Sequence, residues 1–412
     1  MQVKYDAKIE GRQEGLTNMR MWGNTATVAL LLCGATVAPA SAQVFTTMAS
    51  FDGANGASPL AALVQGTDGN LYGVTFEGGI NSYGTVFKIT PGGTLTTLHS
   101  FDTSDGGYPS AALVMAANGR FYGTSQEGGV YLSGTIFRMN APGTPMTLHS
   151  FDIGDGDSPT AGLIQDAANE AFYGTAWEGG KYRYGTVFGI TPAGVLTTLH
   201  NFRGTDGANP DGNLVQADDG TFYGITENGG ANCLPSGCGA IFRITPDGRL
   251  TTLHSFNRTD GAYPEAGLLQ ATDGDFYGTT VSGGAGNYGT VFKITPRGVL
   301  TPLHSFDGND GAYPYSQLIQ GTDGELYGTT TTTIFRITSS GALTTLYTFD
   351  YSPNGGEAPV ADWFRPRTGI STAQPSAAEP AISAPFLVCH PRATVPLFPE
   401  AMLAGCGKTG PI

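Results

Sequence analysis

Pro109–Phe151 reads PSAALVMAANGRFYGTSQEGGVYLSGTIFRMNAPGTPMTLHSF, and its punctuation decides the fold. Asn118-Gly119 is a tight-hairpin dipeptide, Glu127-Gly128-Gly129 opens a wider loop, and Ala141-Pro142-Gly143 marks a third reversal. Between these breaks the residues are mostly apolar, β-branched or aromatic, and none shows a helical period. Four short antiparallel strands are predicted, at Ser110–Ala116, Arg120–Ser125, Gly134–Met139 and Pro145–Phe151.

The same text recurs along the chain. A Phe ending the unit falls at Phe51, Phe101, Phe151, Phe202, Phe256, Phe306 and Phe349, close to 50 residues apart, which bounds six complete units. Asp68-Gly69, Asp219-Gly220, Asp273-Gly274 and Asp323-Gly324 repeat the hairpin, and only Asn169-Glu170 breaks it. Four strands per unit, repeated radially, is the arithmetic of an all-β propeller; a stacked β-helix would use shorter coils without regular hairpins. The expected architecture is six complete blades plus an incomplete seventh. Val44–Phe51 has fourth-strand character with no preceding strands, and a seventh unit starts at Phe349 but loses the pattern from Ala361.

Composition agrees with a repeat array. Gly is 62 of 412 residues, about twice the usual share, and charged residues are only 13 %. The net charge of −14 argues against nucleic acid or an anionic membrane as partner. Residues 1–42 read as a leader: Arg20, then an apolar stretch through Val28-Ala29-Leu30-Leu31-Leu32, then Ala40-Ser41-Ala42, which fits cleavage before Gln43. The apolar run is too short to stay as a membrane span. The division expected is therefore a leader at 1–42, a propeller at 43–360 and a Pro- and Ala-rich, disordered tail at 361–412. Cys233 and Cys238, separated by four residues in an exported chain, are expected to form a disulfide.

Leu71–Gly79 (LYGVTFEGG), Gly84–Pro91 (GTVFKITP) and Leu95–Phe101 (LTTLHSF) resemble the GloVer tandem repeats of bacterial surface proteins called "choice-of-anchor". The resemblance covers about residues 44–359. It implies an exported, propeller-like protein at the cell surface or beyond it, and it implies no activity.

In such a fold the loops joining second to third strands share a face with the loops joining units, and the tight hairpins lie opposite. All the length variation falls on the first face, where the fourth unit expands to Asn228–Gly239 and the sixth shrinks to Thr329–Thr333. Variable loops on a rigid scaffold are where binding usually lives. Its inter-unit loops carry acids, among them Asp102, Asp105, Asp152, Asp155, Asp307 and Asp310, readable as cation or saccharide sites or as turn caps. Calcium is the one cofactor they would suit, but no EF-hand spacing is present and the turn reading is preferred. Gln65, Gln165, Gln216, Gln270 and Gln320 repeat in the first strands, which line the channel, and are candidate ligand contacts. His99, His149, His200, His254 and His304 share one register of the outermost strand and read as structural.

No catalytic signature stands out. An enzyme should break the repeat near the channel with a unique acid, base or nucleophile, and the only break evident in the sequence is the Cys-bearing loop. The expected function is a non-catalytic, secreted module that binds a glycan or protein through its loop-rich face. The alternatives are a propeller-type polysaccharide hydrolase or lyase, or a purely structural surface protein.

Overall fold

The computed structural model describes residues 49–348, apart from 141, 142, 144 and 167. The leader, the tail and the start of the seventh unit at Phe349 lie outside the described residues. Six four-stranded antiparallel sheets run in chain order from first to fourth strand, and no helix occurs among the described residues. These are the blades of a β-propeller.

In the second unit the strands are Val114–Met115, Phe121–Ser125, Thr135–Met139 and Met146–Ser150. The first strand is thus far shorter than the predicted Ser110–Ala116. Leu113, just before it, packs over Gly123, where a Cβ would come within 2.8 Å of Leu113 Cδ2 and 2.5 Å of Phe137 Cζ. The same contact explains why every Tyr is followed by Gly. The fourth unit is the exception, with a first strand running from Ala208 to Gln216 through a register shift between Asp211 and Val215.

Every third-to-fourth pairing carries a bulge at one place. In the first unit Val86 faces His99 and Phe87 faces Thr97, so Leu98 is the extra residue.

The core lies between blades. Tyr72, Val74, Val86 and Phe101 of the first unit pack on Leu113, Phe121, Phe137 and Met139 of the second. Tyr72 and Phe121 have ring centroids 4.4 Å apart, and Phe101 and Phe137 are 5.3 Å apart. The Phe pair recurs at 5.2–5.3 Å in the next four junctions. Each buried Phe contributes roughly 1.5–3 kcal/mol. Of the fourth-strand-like segment Val44–Phe51, only Ala49–Phe51 are described. Phe51 packs on Phe87 at 4.9 Å, the place Phe101 takes on Phe137.

The recurring Tyr is a hydrogen-bonding device as well. Tyr72, Tyr277 and Tyr327 donate to Asp68, Asp273 and Asp323 at 2.7–2.8 Å. Burial, with the Asp68 carboxylate beside it, pushes the Tyr72 hydroxyl up to about 12. In the second unit Asn118 stands in place of the Asp, and the Tyr122 hydroxyl is buried without a partner.

Candidate functional site

Isolated bridges Ala57–Glu77, Gly107–Glu127, Asp157–Glu178 and Ala262–Ser282 tie the inter-unit loops to the second-to-third loops. Both sets therefore open on one face, as the sequence predicted. Just inside it the chain passes a Pro and enters the first strand. The residues after these prolines are Leu60, Ser110, Thr160, Asp211, Glu265 and Tyr315, and all six line one axial cavity of about 400 Å³.

Side chains link neighbouring units around this cavity. The Ser110 hydroxyl donates to the Thr160 carbonyl at 3.0 Å, and Thr160 Oγ1 donates to Asp211 Oδ1 at 2.9 Å. Gln126 Nε2 donates to Ser110 Oγ at 2.7 Å, and Asn213 Oδ1 accepts from the Gly162 amide at 2.7 Å. Trp177 Nε1 donates to Glu227 Oε2 at 3.1 Å. Glu265 makes no hydrogen bond to a described residue. Burial, then repulsion from Glu227 and Asp211, pushes its carboxyl up to about 7. Burial, with Glu265 nearby, raises Tyr315 as well. The cavity thus combines two carboxyl groups, one of them raised to about 7, with amides and one half-exposed phenol.

The break near the channel that the sequence reading did not find is here. Proline, a small residue and Leu repeat around these positions, while the residue after proline is different in every unit: one aliphatic, two hydroxyls, two acids and one phenol. A second position does the same, with Gln126, Trp177 and Glu227 in successive units. The alternation was legible but looks like ordinary scatter until the fold gathers it.

The predicted candidates sit elsewhere. None of Gln65, Gln165, Gln216, Gln270 and Gln320 lines the cavity; they lie at the hairpin end of the first strands. Gln165 Oε1 accepts from the Ala117 amide of the neighbouring unit at 3.1 Å, and Gln320 Oε1 from Thr272 at 3.0 Å. Gln216 Nε2 donates to the Gly220 carbonyl at 3.5 Å.

The loop acids act in reciprocal pairs. Asp102 Oδ1 accepts from the Ser104 amide at 2.8 Å, and Asp105 Oδ1 accepts from the Asp102 amide at 3.0 Å. Asp152 with Asp155 and Asp307 with Asp310 repeat this. Hydrogen bonds from the Ser104 side chain and backbone hold the Asp102 carboxyl below its usual range, and backbone amides of Asn309 and Asp310 do so for Asp307. The second oxygen of each Asp105-type residue meets the histidine six residues earlier, with Nε2–Oδ2 distances of 2.6–3.0 Å in all five pairs. Where Ala49 replaces the histidine, Asn55 replaces the acid, an internal sign that the two positions work together. No group of three or more metal-ligating side chains converges among the described residues.

Cys233 and Cys238 form a disulfide that closes the enlarged loop of the fourth unit. Cys238 is buried at the register of Tyr83, Ser133, Tyr184 and Tyr288.

No helix among the described residues is long and apolar enough to cross a membrane. No curated protein matches the chain significantly. Among solved structures, it is similar to a streptogramin B lyase (TM-score 0.54, 15 % identity, covering 78 % of this chain and 90 % of that one). It is also similar to virginiamycin B lyase from Staphylococcus aureus (0.51, 16 %, 72 % and 86 %). An extracellular domain of a one-component system from Bacteroides thetaiotaomicron matches at 0.53 and 12 %, over 76 % of this chain and 36 % of that one. At these identities the likeness shows the propeller fold alone. The Gloeobacter/Verrucomicrobia repeat matches residues 34–236 and 212–370, most of the chain and the same units the hairpins mark out, and the protein belongs to that repeat family.

Proposed function

We propose that this chain is an exported binding module that takes a hydroxyl-rich ligand, a saccharide, in the axial cavity, approached from the loop-rich face. The observation that carries the reading is the post-proline series. Six units that keep their scaffold residues nearly constant differ at the one position where all six face a common space. Carboxylates accept hydroxyl hydrogen bonds, the Asn213 and Gln126 amides serve as donor and acceptor, and Leu60 and Tyr315 offer apolar surface. A volume of about 400 Å³ is in the range of small-molecule sites.

The test is a glycan array with the full chain, followed by calorimetry on any ligand retained. Asp211→Asn with Glu265→Gln should weaken binding at least ~10-fold, because hydrogen bonds to charged groups carry ~1.5–3 kcal/mol. Equal binding by this double variant, or retention of no saccharide at all, would overturn the reading.

One observation favours the hydrolase or lyase alternative. Glu265 holds its proton near neutral pH beside Asp211 and Glu227, and carboxyls whose environments differ can divide acid and base roles. Release of reducing ends or unsaturated products from a polysaccharide panel, lost in Glu265→Gln, would establish it.

A further inference from the structure

The third unit carries a second break in the repeat, away from the cavity. Its second-to-third loop reads Lys181-Tyr182-Arg183-Tyr184, where the second unit has Val130-Tyr131-Leu132-Ser133 and the fifth has Ala285-Gly286-Asn287-Tyr288. The inter-unit loop that follows begins with Arg203, at the position held by Asp52, Asp102, Asp152, Asn257 and Asp307 in other units. The two changes meet at one ring. Lys181 Nζ lies 5.4 Å from the centroid of Tyr182, and the Arg203 guanidinium carbon lies 5.3 Å from it.

Neither change serves the scaffold. Arg203 gives up the cap that Asp102, Asp152, Asn257 and Asp307 make to the amide two residues on. Arg183 is held at φ +67°, in the left-handed region that favours Gly or Asn, and Asn287 occupies the same place in the fifth unit. All three cations are exposed, and none is ion-paired with a described residue. Their backbones are pinned, Lys181 by its amide on Asn201 Oδ1 at 2.7 Å and Arg203 by its amide on Asp206 Oδ1 at 2.8 Å. In a chain of net charge −14, Lys181 and Arg203 over the Tyr182 ring, with Arg183 and the exposed Tyr184 on the same loop, make a local concentration of positive charge.

We infer that Lys181, Arg183 and Arg203 with Tyr182 and Tyr184 form a binding site for a carboxylated sugar residue of an acidic saccharide. Lysine and arginine side chains give charge-assisted hydrogen bonds to a carboxylate, and the fork of an arginine can take both of its oxygens. Exposed tyrosine surface suits the apolar face of a sugar ring. A patch of three charges on a chain this acidic engages one anionic residue and does not draw in a long polyanion such as DNA or an anionic bilayer. The site stands apart from the axial cavity and does not rest on the reading given to that cavity.

The experiment is calorimetry of the full chain with oligogalacturonate and with its methyl ester, which keeps the sugar but removes the charge. The expected result is saturable binding of the acid, at least ~10-fold weaker with the ester and with Lys181→Gln/Arg203→Asp. Arg203→Asp restores the residue most units carry and Arg183→Asn copies the fifth unit, so these two changes have a folded precedent in the same chain, and Lys181→Gln alters an exposed side chain. Melting curves of both confirm the fold, and Arg183→Asn alone should also weaken binding. Asp211→Asn/Glu265→Gln should leave oligogalacturonate binding unchanged, which separates this site from the cavity. Absence of binding, equal binding of the ester, equal binding by the variants, or binding of a DNA duplex or phosphatidylserine vesicles as tight as that of the saccharide would each overturn the inference.

Discussion

Replacing Glu265 by Gln should stabilise the protein above neutral pH and leave it unchanged in acid. The carboxyl is raised from 4.5 to about 7 by burial and by the charges of Glu227 and Asp211. The folded chain therefore holds this proton more tightly than the unfolded chain does. That advantage is fully present below about pH 4.5 and is lost as pH rises through about 7. Above 7 the fold must carry the Glu265 charge, partly buried and repelled by Glu227 and Asp211. At about 1.4 kcal/mol per pH unit, full burial would make the loss about 3 kcal/mol. The side chain faces an open cavity, and solvent screening brings this to about 1–2 kcal/mol. A Gln of the same shape cannot ionise, so Glu265→Gln should melt roughly 2–4 °C higher at pH 8 and coincide with the parent at pH 4. Calorimetric melts at pH 4, 6 and 8 test this directly. A variant no more stable than the parent at pH 8, or an offset that does not change with pH, would refute the coupling of Glu265 to its two neighbours.

Asn118→Asp should raise stability by about 1 kcal/mol, because it supplies the acceptor that Tyr72, Tyr277 and Tyr327 already have and Tyr122 lacks; denaturant titration beside the parent is the check. Phe51→Ala should cost about 1–2 kcal/mol, less than the ~3–4 of Phe101→Ala, since Phe51 holds the same place on Phe87 but is only partly buried. A Phe51→Ala chain indistinguishable from the parent would remove the case that residues 44–51 serve as the closing strand of a seventh position.

The propeller was legible because hairpin chemistry is local. Asn118-Gly119 and its Asp-Gly equivalents can do little else but turn, and their spacing leaves room for four strands per unit. The length of the first strands was misread because the mostly apolar run Ser110–Ala116 does not show where pairing stops, and only Val114 and Met115 pair with the second strand. The acids of the inter-unit loops cap their own turns, one of the readings the sequence offered for them, and their second partner, the histidine six residues back, was not read. The paired change to Ala49 and Asn55 was the available clue. Asp211, Glu227 and Glu265 were invisible for a different reason. Repeat analysis averages over units, and acids that stand at a repeat position in only one or two units survive only in what the averaging discards.

That construction has a consequence for how such a site can change. Leu60, Ser110, Thr160, Asp211, Glu265 and Tyr315 follow the same proline on separate blades, so the scaffold packing leaves each of them free to change. The cavity is in effect an address with six digits, written on a frame that stays still, with neighbouring digits coupled where Thr160 bonds Asp211 and Asp211 repels Glu265. A relative with the same blades and other digits would present an equally rigid cavity of different chemistry. Under the saccharide reading proposed above, ligand preference within these repeats should follow the residue after each proline far more closely than overall sequence identity.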